Sequence, residues 1–242
     1  MKEFKMDLHI HTCLSPCGDL EMLPRSIVKQ AKERGLDVIG ICDHNSAENA
    51  AAVRKAGERE GLKVFVGIEI TSSEEVHILA FFDKNKTLMQ IQDIVYKNLS
   101  GENNEEFFGK QLIVDEYDKS GGSNNKLLIG STDLTLRRIV KLVHDFGGIA
   151  IASHIDKQTF SVISQLGFIP EGLQLDALEL SVNYNSEKVA DYKNYDLPLI
   201  KSSDAHFLAD VGRAHTKFLL EDLSFSEFKM ALSVTEGRKV IF

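Results

Sequence analysis

Along the chain, short apolar runs alternate with longer stretches in which apolar residues recur every three or four positions. A short run suits a strand buried on both faces, and the longer period suits a helix with one buried face, so the alternation predicts parallel strands joined by crossover helices. Strands are expected at Phe4–Ile10, Val38–Cys42, Leu62–Ile70 and Val76–Phe82. The first helix is expected over Leu23–Arg34, with Pro24 in its first turn and Gly35 past its end. Ser46 is the expected N-cap of an alanine-rich helix that stops near Gly61. Leu88, Ile91, Ile94, Val95 and Leu99 recur at helical spacing and mark a third.

The pattern then breaks. Ser100–Asn104 is polar, and Gln111–Tyr117 and Leu127–Ile129 flank a turn-rich Lys119–Asn125, which together predict a hairpin over 111–129 projecting from the main body, placed to act as a lid. A helix over Leu134–Phe146, closed by Gly147 and Gly148, restores the alternation. It leads to strands at Ile149–Ser153, Ala177–Ser181, Leu199–Ser203 and Thr216–Leu220 and a last helix at Phe225–Leu232. With no linker and no repeat, 242 residues suit one α/β barrel, and a single domain over 1–242 is the expectation.

Composition narrows the function. The 28 basic and 36 acidic residues leave a formal charge of −8, which opposes sequence-independent attraction to nucleic acid or anionic lipid. The N-terminal Met1–Asp7 lacks the uncharged core of a signal peptide, and no apolar run approaches the roughly 20 residues of a membrane span, so a cytoplasmic protein is expected. Three cysteines, Cys13, Cys17 and Cys42, form an odd set unsuited to disulfide stapling.

The chemistry lies where the strands end. His9 and His11, two apart on the first strand, leave the same face and can converge on one ion. Asp43 and His44 close the second strand, Glu69 lies near the end of the third, His77 starts the fourth, His154 follows Ile149–Ala152, and Asp204 and His206 repeat the two-residue spacing. In a barrel of parallel strands, groups at the C-terminal rim meet in one cleft. Imidazoles mixed with carboxylates suit zinc, manganese or iron better than magnesium or calcium, which favour oxygen-only shells. His144 and His215 fall outside this pattern and read as structural.

Taken together, the segments Asp7–Thr12, Cys42–Asn45, Gly67–Thr71, Val76–Leu79, Ala152–Asp156 and Ser202–His206 resemble the PHP (polymerase and histidinol phosphatase) superfamily over nearly the whole chain. The resemblance implies a distorted seven-stranded, TIM-like β/α barrel holding two or three divalent ions and hydrolysing phosphate esters. Its ligand pattern carries over as His9, His11, Glu69 and Asp204 for a first ion, and as Glu69, His77 and His154 for a second. Asp19, His44 and His206 correspond to a third, although the Cys13–Gly18 loop is longer than the usual one. Cys13 and Cys17, four apart in that loop, are expected to line the pocket as free thiols, with a soft-metal site or a redox pair as the alternatives.

The implied reaction is attack on phosphorus by a hydroxide held between the first two ions, with His9, His11, Glu69 and Asp204 around it and no protein nucleophile. Arg213 is the candidate phosphate clamp and Lys157 a second candidate. A small phosphorylated molecule, monoester or diester, is the expected substrate. The rivals are a nuclease acting on DNA or RNA ends, a non-catalytic metal-stabilised module that binds a phosphorylated ligand, and an amidohydrolase barrel, which also opens on a His-x-His strand. Oligomeric state is left open.

Overall fold

In the computed structural model, which describes residues 1–242, the elements follow in the order β1 (Lys2–Ile10), α1 (Pro24–Glu33), β2 (Val38–Ile41), α2 (Ala50–Glu60), β3 (Lys63–Thr71), β4 (His77–Phe82), α3 (Asn85–Lys97) and α4 (Glu105–Phe108). There follow β5 (Leu112–Val114), β6 (Ser120–Ser123), α5 (Leu136–Asp145), β7 (Ile149–Ala152), α6 (Val162–Leu166), β8 (Ala177–Leu180) and α7 (Val189–Lys193). The chain ends with β9 (Leu199–Lys201), β10 (Thr216–Leu220), α8 (Phe225–Leu232) and β11 (Lys239–Ile241).

Nine strands make one sheet in the order β11-β10-β1-β2-β3-β4-β7-β8-β9. Past β9 the chain returns to β1: His11 N–H donates to the Ala205 carbonyl at 3.0 Å, and Ala205 N–H donates to the His9 carbonyl at 3.2 Å. This contact closes the seven strands from β1 round to β9 into a barrel. The antiparallel pair β10 and β11 hangs on the lower half of β1, in register from Lys2↔Leu220 to Met6↔Thr216. No helix is long and apolar enough to cross a membrane.

Within the seven-stranded barrel, one strand departs from the expected parallel order. β4 runs antiparallel to both β3 and β7. Only Ser72–Val76 separate it from β3, and a parallel return needs a dozen or more residues. Reversal places the first residue of β4, His77, opposite Thr71 at the rim where the parallel strands end.

Alternating side chains divide the apolar residues into two layers. Met6, Leu8, Val38, Phe65, Phe81 and Ile151 fill the barrel, whose lower end is closed by Phe228 of α8, stacked on Phe65 at 5.1 Å. Outside, Ile39, Ile41, Val64 and Val66 pack with Ile27, Val28 and Val53 of α1 and α2.

β1 carries an extra residue. Its register against β2 runs Met6↔Val38, Asp7↔Ile39 and then Ile10↔Ile41, so three steps on β1 match two on β2. A bulge of this kind re-aims the side chains beyond it. Below it Met6 and Leu8 face the interior; above it Ile10 joins the outer layer and His9 and His11 turn in. Gly40 makes room for it, since a Cβ there would lie 2.6 Å from the Leu8 carbonyl oxygen.

Two further expectations need correction. Ser46 does not cap α2, whose N-cap position is Asn49; the buried Ser46 hydroxyl instead bonds the Tyr96 hydroxyl at 2.7 Å. The hairpin is shorter than 111–129: its second arm is Ser120–Ser123, inside the stretch read as turn. The Asp115 carboxylate accepts from Tyr117 N–H and Lys119 N–H and forms the reversal itself. Leu128 lies instead in a small cluster with Leu14 and Leu99. The hairpin is docked rather than projecting, because Leu112 N–H donates to the Cys13 carbonyl and Val114 N–H to the Asn49 side chain.

Candidate metal centre

Glu69, on the inner face of β3, is fully buried among five imidazoles. Its Oε1 lies 3.0 Å from His77 Nδ1, 3.4 Å from His9 Nε2 and 3.4 Å from His154 Nε2. Its Oε2 lies 2.9 Å from His44 Nδ1 and 3.5 Å from His11 Nε2. Asp204 Oδ1 stands 3.4 Å from His9 Nε2 and 3.3 Å from His11 Nε2. His206 stacks on His11 at 4.1 Å. The six histidines singled out at the strand ends thus share one cavity with Glu69 and Asp204.

Backbone conformation helps to bring them there. His154 and Asp204 have φ of 29° and 50°, a region that non-glycine residues seldom occupy and that tends to mark functional positions. Asn45, next to His44, also has positive φ, 48°. Its side-chain amide donates to the Leu128 and Gly130 carbonyls and its oxygen accepts from Thr71 N–H, which fixes the turn behind His44.

Partners on the far side of the rings set the tautomers. His9 Nδ1 lies 2.9 Å from Glu179 Oε2, which can only accept from it while ionised, and that oxygen also accepts from His154 N–H at 3.2 Å. His11 Nδ1–H donates to Ser15 Oγ at 2.9 Å, since the Ser15 hydroxyl is committed to Asp43 Oδ1 at 2.7 Å. His206 Nδ1–H donates to the Asp204 carbonyl at 2.8 Å. Each of these rings therefore turns the lone pair of Nε2 inward. The two on His9 and His11 face each other at 3.1 Å, an arrangement that needs a proton or a cation between them.

The electrostatics agree. Burial alone would raise the Glu69 carboxyl, but His77, His9 and His44 outweigh it and hold it well below the usual range. Burial would lower His9, yet Glu179, Asp204 and Glu69 carry it well above its ordinary value; His44 likewise rises to about 10 under Glu69 and Cys17. Positive charge is thus favoured at His9 and His44, whereas burial, with the neighbouring imidazoles, holds His11 well below its ordinary value and brings His77 down to about 4. Glu69 Oε1 and Oε2, His44 Nδ1 and His77 Nδ1 are buried and face one another without making well-formed hydrogen bonds, as atoms placed round an ion are expected to do. Ligand atoms lie within 4.8 Å of one another in three sets: His9, His11 and Asp204; His44, Glu69 and His77; and His11, His44 and His206. The donor set fits divalent transition ions.

Other expected residues stand differently. The Asp19 carboxylate accepts from Glu21 N–H at 2.7 Å and belongs to none of the three sets, although Asp19 N–H does donate to the His206 carbonyl. Lys157 forms an ion pair with Asp204 Oδ2 and so enters the site. Arg213 is ion-paired to Asp210 at 2.6 Å, with its side chain 53% exposed, and contacts none of the ligands. His144 is structural as expected, bound at 2.9 Å to Asp176, which also accepts from Ala150 N–H.

Cys13 and Cys17 diverge. Cys13 is buried with its thiol toward the Leu112 carbonyl, whereas the Cys17 thiol lies against the His206 and His44 imidazoles. Cys17 is exposed, and those two rings outweigh the partial desolvation of its thiol and bring it down to about 6. Sequence reasoning passed over Glu179 and Ser15. A signal existed for Glu179, the one charged residue in the apolar run Ala177–Leu180.

Comparison with known proteins gives a consistent picture. Residues 7–166 match the PHP domain, and residues 183–236 match the PHP-associated region. An uncharacterized protein of Bacillus subtilis, YqxK, is 24% identical over all of this chain, which spans 65% of that protein. The phosphoribosyl 1,2-cyclic phosphate 1,2-diphosphodiesterase of Eggerthella lenta is 32% identical over 30% of this chain and 29% of its own length. Among solved structures, the lesion-specific endonuclease PfuEndoQ from Pyrococcus furiosus shares the fold with a TM-score of 0.76 and 19% identity. That match covers the whole of this chain and 58% of the endonuclease. The chain thus spans less than two thirds of these relatives.

Proposed function

The chain belongs to the PHP domain family, and from that premise we propose that it is a metal-dependent phosphoesterase acting on a small phosphorylated substrate. The observation that carries the reading is the ring of five imidazole nitrogens within 3.5 Å of the two Glu69 oxygens. Zinc, manganese or iron ions bound there supply charge neutralisation at phosphorus and lower the pKa of water from about 15.7 towards about 7.

The chain's own residues do the rest. His9, His11 and Asp204 form one end of the ligand cage and Glu69 its centre, with His44, His77 and His154 around it. Glu179 and the Ser15–Asp43 pair hold His9 and His11 as Nδ1–H tautomers, so that Nε2 faces inward. Lys157, partly exposed and beside Asp204, is the cation placed to receive a phosphate oxygen. With Arg213 held by Asp210, it replaces Arg213 as the preferred clamp. A chain of charge −8 favours a small ester over a long polyanion.

The second reading is a nuclease, favoured by the fold shared with the endonuclease along the full length of this chain. Protein loaded in turn with zinc, manganese and iron should hydrolyse members of a phosphomonoester and phosphodiester panel and leave end-labelled oligonucleotides intact. Cleavage of the oligonucleotides alone would establish the nuclease, and binding without turnover would leave a non-catalytic module.

A further inference from the structure

The loop after β7 runs from His154 to Ser161 and is pinned along its length. Lys157 N–H donates to the His154 carbonyl at 2.9 Å, and the buried Ser161 hydroxyl donates to the Lys157 carbonyl at 2.8 Å. The Asp156 carboxylate accepts from both the backbone N–H and the hydroxyl of Ser181, at the end of β8. Near the end of this fixed loop stands Phe160. Its carbonyl accepts from His77 N–H at 3.0 Å, and its ring lies on the His77 imidazole with centroids 4.6 Å apart and planes inclined by 17°. Its φ is 57°, a region that a bulky side chain rarely occupies, and strain of this kind gathers at ligand-binding positions. Packing does not account for it, because Phe160 is 36% exposed and belongs to none of the apolar clusters. One side of the ring is covered by a residue of the metal centre, and the rest is left in solvent at the rim. Lys157, paired with Asp204, stands three residues earlier, at most about 10 Å along the chain.

We propose that Phe160 is a specificity-determining residue: with the phosphate drawn to the metal centre and Lys157, the exposed side of the Phe160 ring receives the alcohol part of the ester and selects one that carries a flat aromatic ring, carbocyclic or heterocyclic. This rests on the reading of the cavity as the place that receives the phosphate. One short loop then supplies a cation for the anionic end of the substrate and an uncharged, flat surface for the other end. Aromatic rings gain from offset stacking beyond the area they bury, so the surface discriminates between a planar ring and a saturated one of the same size. Because the loop is tied at His154, Ser181 and His77, the surface is in place before substrate arrives and little ordering is lost on binding.

The test uses the full chain loaded with zinc and compares phenethyl phosphate with cyclohexylethyl phosphate, whose alcohols are similar in size and acidity. Wild type should show a kcat/KM about 3–10-fold higher for the phenyl ester, the worth of one aromatic stack. F160L should bring that ratio within twofold while binding as much zinc as wild type. A second arm needs no turnover. The chain contains no tryptophan, so F160W puts a lone reporter at the platform. Phenethylphosphonate, whose P–C bond resists hydrolysis, should change its emission with an affinity at least about threefold above that of cyclohexylethylphosphonate. A wild-type ratio within twofold, a preference that survives in F160L, or equal affinity of F160W for the two phosphonates overturns the platform and leaves the phosphoesterase standing. Equal loss on both esters in F160L, with less zinc bound, makes Phe160 a support for His77 and overturns it as well. Should neither ester turn over, the phosphonates still decide: preference for the phenyl compound upholds the platform apart from the hydrolytic reading, and no preference overturns it.

Discussion

The substitution Glu179→Gln isolates what a buried carboxylate does for a metal site it does not enter. Glu179 Oε2 lies 2.9 Å from His9 Nδ1, with both side chains at most 2% exposed. Glutamine keeps the volume and one acceptor oxygen but removes the charge that fixes the Nδ1–H tautomer and raises the basicity of Nε2. A charge-assisted hydrogen bond contributes about 1.5–3 kcal/mol and a neutral one about 0.5–1.5, so this contact loses about 1–1.5 kcal/mol. The bond from His154 N–H to the same oxygen, at 3.2 Å, weakens as well and brings the total to about 1.5–2.5 kcal/mol. At about 1.4 kcal/mol per decade, metal affinity should fall roughly 10–60-fold, within the range of about 10–100-fold for partners of this kind. Titration against a chromophoric chelator measures it directly, and thermal melting of metal-free protein shows whether the fold survives. An affinity within twofold of wild type, in a variant that melts normally, would refute the role given to Glu179.

Three more outcomes follow from the same geometry. Lys157→Ala should lower kcat/KM on the best phosphoester by about 10–100-fold, the worth of a charge-assisted contact, whereas Arg213→Ala should stay within twofold because its pair with Asp210 is exposed; the reverse ranking would restore Arg213 as the clamp. Chelation should lower Tm by roughly 5–10 °C, since ions present at 100-fold their Kd stabilise the fold by about 2.7 kcal/mol and about 2–4 °C accompanies each kcal/mol at this size; an unchanged melting curve would count against a built metal site. In metal-free protein at pH 8, a thiol reagent should modify Cys17 alone. Cys13 and Cys42 are buried, and burial pushes the Cys13 thiol up to about 12, leaving almost no thiolate; rapid modification of either in folded protein would refute the packing.

Much of this site was legible because its ligands are placed by strand ends, and strand ends are readable from apolar runs. His9, His11, Glu69, His154 and Asp204 could be brought together by barrel topology alone. His77 was found at the start of its strand, but that this end belongs at the same rim depends on β4 being antiparallel, which the five-residue connection from Thr71 already required. Loop geometry was less accessible. The correspondence of Asp19 to a third-ion ligand takes no account of the turn at Ser15, whose hydroxyl is fixed by His11 and Asp43. The hairpin was misdrawn for a related reason: Asp115 uses its side chain to close the turn early, so that Ser120–Ser123 pairs as a strand despite its glycines. Glu179 was missed because its partner, His9, is 170 positions away.

The additional residue in β1 makes the opening strand depend on its length as much as on its side chains. Removing one position between Asp7 and Ile10 would restore plain alternation, and the strand would then have to choose: either Met6 leaves the interior, or His9 and His11 rotate out against α1. A homologous chain with a one-residue gap at that point would therefore have its histidines out of phase with the cavity even with every ligand residue intact. Counting residues along this strand is thus a quicker guide to whether such a chain still has a working centre than checking which side chains it kept.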